Sequence, residues 1–249
     1  MATGAGGEQP GIGRGERIGA MMILQGAMAR MRAQPVALAA WWILASIATV
    51  GVEQGARLAG IDPGGDLPSQ GDAWYRIARA LLEGLSSAAG FRLILQGRLW
   101  FDRGFVVCAA ILTTIAVVTG FAIASPYSAG LGGGAQAALV AVMFYLGLKL
   151  TLWPLGPLMG RDDLTLTRGW SAMHGATLGL ALAFLLSMLP LFAVGMVYVA
   201  VPPAELDRLP AIIVDAVTVQ ALTLFALAMS ATVYQLRVEN PATVADVFD

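Results

Sequence analysis

Between Arg103 and Lys149 the sequence carries no charged side chain. One membrane helix needs about 20 apolar residues to cross about 30 Å of hydrocarbon, so the stretch is too long for a single span. It divides at residues 125–136, SPYSAGLGGGAQ, where Pro and Gly break helical continuity and make a turn. Two spans result, 104–124 and 135–155. A second uncharged stretch, 170–201, reads as one further span, longer than a crossing requires and expected to kink at Pro190. Only 12% of the residues are charged, against about a quarter in soluble domains. The apolar residues come in unbroken runs rather than alternating with polar ones, which argues against a β-barrel.

Residues 36–52, with Trp41 and Trp42 near the start, form the first span, and 211–234 the last. The hardest segment is 74–101, helical in pattern but carrying Arg76, Arg79, Glu83, Arg92 and Arg98. Either it lies on the membrane as an amphipathic helix or it crosses with its polar stripe turned inward. Cytoplasmic segments carry the excess of Lys and Arg. Arg14, Arg17, Arg30 and Arg32 precede the first span, and Arg98 and Arg103 precede the next clear one. Both groups belong on the cytoplasmic face, so the chain crosses between them and 74–99 is the segment available. The predicted fold is all-α, a polytopic transmembrane bundle of about six spans with both termini cytoplasmic, in a bacterial inner membrane. Residues 1–15 are expected to be disordered, 35–236 to form the bundle and 237–249 a cytoplasmic tail.

Within 16–34, Ile18, Met21, Leu24, Met28 and Met31 recur every three or four residues, with Arg17, Gln25, Arg30 and Arg32 largely elsewhere on the wheel. That pattern predicts an N-terminal amphipathic helix on the membrane surface; the other reading is a helix packed under the bundle.

The polar inventory is thin. One Cys, Cys108, excludes an intrachain disulfide and a Cys-based zinc cage. One His, His174, excludes the paired-His motifs of zinc hydrolases. The net charge of −1 argues against nucleic acid as a partner. The acidic loop at 60–72 lacks EF-hand spacing, and the Gly cluster at 120–134 lacks the Lys-Ser/Thr of a phosphate loop. Neither a catalytic constellation nor a metal or cofactor site is expected.

Two candidate sites remain. The first is the charged elbow between two apolar runs, residues 143–180, where Lys149, Arg161, Arg168 and His174 meet Trp153 and Trp170. Cations and indoles on one bilayer face suit an anionic headgroup, because Arg offers planar donors to phosphate. The plainer reading is a set of positive-inside anchors and aromatic-belt residues, with His174 hydrogen-bonded and structural. The second candidate is a polar track of Arg79, Glu83 and Gln220, with Arg79 and Glu83 paired as i,i+4 neighbours. The plainer reading there is a neutralised pair and an interhelical hydrogen bond. Gly175, Gly179, Ala183 and Ser187 repeat every four residues, a stripe on which another helix can pack closely.

The elbow resembles the membrane family that includes the membrane domain of glycerophosphoryl diester phosphodiesterases and its stand-alone relatives. Lys149, Leu150, Thr151 and Leu152, then Pro154, are similar to that family's helix exit; Leu164, Thr165, Leu166, Thr167, Arg168, Gly169, Trp170 and Gly175 are similar to its re-entry. Lys149 stands where the family has Arg, Gly169 where it has Ser, and His174 where it has a basic residue. The likeness covers roughly residues 143–180. It implies a six-helix membrane domain without the soluble catalytic domain that gives the family its name. The expectation is a non-catalytic protein bound to membrane lipids, or an accessory subunit of a larger membrane complex, with a homodimer a further possibility. The alternative is a small transporter or flippase-like carrier using the polar track.

Overall fold

A computed structural model of the chain describes residues 17–61, 70–123, 133–199 and 209–239. The expected disordered N-terminus, most of the acidic loop, most of the turn at 125–136, the outer turn at 202–208 and the tail past 239 lie outside the described residues. The described elements are helical: α1 Ala20–Ala33, α2 Pro35–Leu58, α3 Gln70–Gln96, α4 Arg103–Ile123 and α5 Gly133–Leu150. The elbow follows, with the single turn α6 Leu155–Leu158 and the short α7 Leu166–Ala172. Then come α8 Thr177–Val199, α9 Leu209–Tyr234 and a closing π-helical turn, Gln235–Glu239.

Four helices are long and apolar enough to cross a membrane, at Pro35–Leu58, Arg103–Gly120, Gly133–Leu158 and Leu209–Glu239. A fifth is added if α7 and α8, bent by 75° at their junction, count as one broken span. The expected count of about six therefore reduces to four or five by length and composition. The helix that falls short is α3, because Arg76, Arg79, Glu83 and Arg92 fall within it. A break not expected from the sequence falls at Gly175, whose φ of 81° is open to glycine and strained for other residues. The helix α8 then continues through Pro190 to Val199.

Helix α3 runs antiparallel to α2 and to α4. Trp41 near the start of α2 donates from Nε1 to the Ser86 carbonyl of α3 at 2.9 Å, and Gly97 just past α3 lies against Gln34 just before α2. The most extensive pairing is α3 with α4. Gly84 makes it possible: a Cβ there would fall 2.8 Å from both Ala109 O and Thr113 N. α9 is the central helix, in contact with α1, α2, α3 and α8. Its last turns, residues 227–234 (LAMSATVY), are buried throughout, because small side chains let neighbouring backbones approach closely.

Of the two readings of α1, the helix is packed onto the bundle rather than resting only on its surface. Ile18, Ile23 and Ala27 are fully buried. Gly26 abuts Thr232, and Arg30 donates to Thr232 Oγ1 at 3.2 Å and to Gln235. The Ile18 N–H donates to the Gly175 carbonyl at 3.3 Å, and a Cβ on Gly179 would overlap the Ile18 carbonyl oxygen. Gly175 and Gly179, the first two residues of the small-residue stripe, thus receive the chain entering α1. Met21 and Met28, assigned to the apolar face of the wheel, are 62% and 42% exposed, while Arg30 is drawn inward.

These contacts collect one set of segments at one end of the bundle: α1, the α3–α4 corner, the elbow and the end of α9. Among the described residues, the basic residues assigned to a common membrane face therefore share one end of the fold.

Candidate functional site

Lys149 occupies the last turn of α5 and is only 6% exposed. Its Nζ lies 5.8 Å from the centroid of the Tyr145 ring and 5.7 Å from that of Trp170. The two rings meet edge to face at 6.4 Å. The i,i+4 spacing puts Tyr145 on the same face of α5 as Lys149, and α7 carries Trp170 up to it. Among the described residues Lys149 has neither a carboxylate partner nor a hydrogen bond. An ammonium taken out of water costs several kcal/mol. A ring near the ~6 Å limit of cation–π attraction returns only about 0.5–1 kcal/mol. Nζ is not sealed from the surface, so only part of that cost applies here, and with two ring contacts alone it keeps donors for an anion.

The other elbow cations are arranged differently. Arg161 grips Asp163 in bidentate fashion, Nε to Oδ1 and Nη2 to Oδ2, both at 2.9 Å. Arg168 donates from Nη1 to the same Oδ2 at 3.2 Å. These arginines, Arg161 first, hold the Asp163 carboxyl below the usual carboxylate range. Arg161 also donates to the Val238 carbonyl at 3.4 Å, tying the π-helical turn to the elbow. The expected three-cation cluster is therefore one buried ammonium and two arginines that share an acid. Trp153 is half-buried with Gly169 packed on its backbone. His174 is exposed, and its backbone N–H donates to Ser171 at 3.0 Å. The local fold follows from the sequence: Thr165 caps α7 by accepting from Arg168 N at 3.5 Å, and Gly160, with φ 68°, closes the turn after α6.

A second constellation at the same end was missed by sequence reasoning. Arg92, with no exposed surface, donates to both oxygens of Asp102 at 2.9 and 2.7 Å and to the Leu158 carbonyl at 3.3 Å. Asp102 also caps α4, accepting from Phe105 N at 2.7 Å, and accepts from Trp100 Nε1 at 2.8 Å. The Trp100 ring lies 4.6 Å from both the Arg92 and the Arg98 guanidinium carbons. Arg92, then the Phe105 N–H, keeps the Asp102 carboxyl far below its ordinary value. An Asp immediately before a long apolar run is an N-cap signal, and it was the readable part of this cluster. The pairing across the corner requires the folded hairpin.

The polar-track residues divide. Arg79 donates from Nε to Glu83 at 3.1 Å and from Nη1 to Tyr75 at 3.2 Å. The Arg79 and Glu83 side chains stay 38% and 45% exposed. Gln220 is buried and donates to Thr49 Oγ1 at 2.9 Å, joining α9 to α2. Among the described residues no hydrogen bond connects Gln220 to the Arg79–Glu83 pair. Among them, too, no group of three or more His, Cys, Asp or Glu could hold a metal ion. No family model, no curated protein and no solved structure matches the chain.

Proposed function

We propose that this chain is a non-catalytic integral protein of a bacterial inner membrane that holds an anionic lipid headgroup at the elbow end of its bundle. The observation that carries the reading is Lys149: buried, without a carboxylate, and flanked by two partly exposed aromatic rings. Burial of an unpaired cation is costly enough that such a group in a membrane segment marks a ligand or pathway. The aromatic pair Tyr145 and Trp170 has the amphipathic character of residues that sit at headgroup level.

Six crossings with cytoplasmic termini belong to the same proposal. Its support is the antiparallel packing of α3 between α2 and α4, together with the gathering of the basic segments at one end. A helix of 27 residues, as α3 is, is about 40 Å long and so reaches across a bilayer. The likeness to the phosphodiesterase membrane-domain family also belongs here, resting on the elbow residues alone, as does a role beside a partner in a membrane complex.

The experiment is lipid analysis of protein purified in mild detergent. The wild type should retain anionic phospholipid and Lys149→Gln should lose it. Retention unchanged by the substitution would remove the site.

A further inference from the structure

Resting on the elbow reading above, we infer that the site is built for a single phosphodiester, one negative charge held by Lys149 alone, and that Arg161 and Arg168 brace the elbow rather than bind the ligand. The charges carry the argument. Arg161 and Arg168 converge on one carboxylate, Asp163, through three charge-assisted hydrogen bonds of 2.9 to 3.2 Å. With the neighbouring Asp162, the four charged residues of the turn sum to zero, so the elbow offers no second cation free for an anion. The Arg161 fork, closed on that carboxylate through Nε and Nη2, has spent the planar donors that would recognise phosphate, and the charge of Arg168, which reaches the same acid through Nη1, is offset there.

Lys149 is different in kind. Its stem is buried, yet its Nζ is absent from the sealed, unpartnered polar atoms of the described residues, so the ammonium reaches the surface. Tyr145 and Trp170, themselves in edge-to-face contact, lie side by side against it, 48% and 38% exposed. A compact ammonium with both rings on one side keeps donors for a ligand on the other and neutralises one charge. A phosphate monoester carrying two charges, or two linked phosphodiesters, would leave a charge without a counterpart there.

The test is native mass spectrometry of the full chain delipidated in detergent and titrated with phosphatidylglycerol, which has one phosphodiester, and with cardiolipin, which has two. One bound phosphatidylglycerol is expected. Cardiolipin should bind no more than about twofold tighter per molecule, the statistical factor for two equivalent groups competing for one cation. Lys149→Gln should weaken both lipids at least tenfold while Lys149→Arg, which keeps the charge, restores most of the affinity. Arg168→Gln should leave affinity within twofold and lower the melting temperature. A tenfold preference for cardiolipin, or an equal loss of affinity in Arg168→Gln and Lys149→Gln, would overturn the single-charge assignment while leaving a headgroup site intact. Absence of any anionic lipid binding by the wild type would instead overturn the reading on which it rests. Inorganic phosphate at millimolar concentration should not displace the lipid. Full displacement would identify free phosphate as the ligand and overturn the lipid assignment.

Discussion

Replacing Asp102 by Ala is expected to destabilise the protein by about 3–5 kcal/mol, and the number can be built from contacts. The substitution leaves Arg92 a wholly buried guanidinium with only the Leu158 carbonyl at 3.3 Å and the Trp100 ring for company. Stranding a buried charge costs about 3–5 kcal/mol, and we take the lower end because the Asp102 side chain is 46% exposed. Loss of the α4 cap, the Phe105 N–H bond, adds about 1 kcal/mol. Asp102→Asn keeps the cap and should cost about 1 kcal/mol less than the Ala variant. In the background Arg92→Met, either substitution should cost about 1 kcal/mol or less, because no charge is left to strand. Equilibrium unfolding in mixed detergent micelles, followed by tryptophan fluorescence, gives the four corners of the cycle. A coupling below about 1 kcal/mol would show that Arg92 and Asp102 do not depend on each other, since deletion energies of independent groups simply add.

Gly84→Leu should separate α3 from α4, at a cost of at least about 1–3 kcal/mol for overpacking, because Ala109 O and Thr113 N already stand 2.8 Å from the added Cβ; unchanged thermal unfolding would contradict the close approach. Gln220→Met should cost about 0.6 kcal/mol, the average for a hydrogen bond between membrane helices, since it removes one bond to Thr49 together with an amide oxygen that has no partner; a loss above about 2 kcal/mol would point to a larger polar role. The Asp163 carboxyl is depressed in the fold, so the stability it contributes is fully present above its unfolded pKa of about 4. That contribution disappears as pH falls through the lower folded value. Melting temperature should hold from pH 8 to pH 5 and drop below pH 4, with Asp163→Asn flattening the acid limb. An acid limb identical in the variant would assign the effect elsewhere.

Much of the bundle was legible in uncharged length alone. The runs 36–52, 104–124, 135–155 and 211–234 correspond to α2, α4, α5 and α9 within a few residues, apart from the longer C-terminal end of α2 and the earlier stop of α5 at Leu150. Hydrophobic length is a property of one segment, which is why it survives without tertiary information. The break at Gly175 was not legible in the same way: the run 170–201 is uncharged throughout, and length sees no boundary where a positive φ makes one. Lys149 and Trp170 were named together from their shared bilayer face, and they do meet. Their isolation from Arg161 and Arg168 was hidden because the acid that occupies those arginines, Asp163, sits inside the turn they flank. For α1, the wheel separated polar from apolar residues but could not tell lipid from protein as the apolar partner. Arg30 turned inward because Thr232 and Gln235 offered it oxygens from 202 and 205 residues away.

In the proposed topology the elbow end forms one membrane face and α3 returns the chain to it. Single cysteines at Ala59, Leu99 and Asp162 in a Cys108→Ser background, probed in intact cells with a membrane-impermeant maleimide, test it most directly. Residue 59 should be labelled from outside the cell, with residues 99 and 162 reached only after permeabilisation. Residues 59 and 99 labelled from the same side would place α3 flat on the membrane and contradict it.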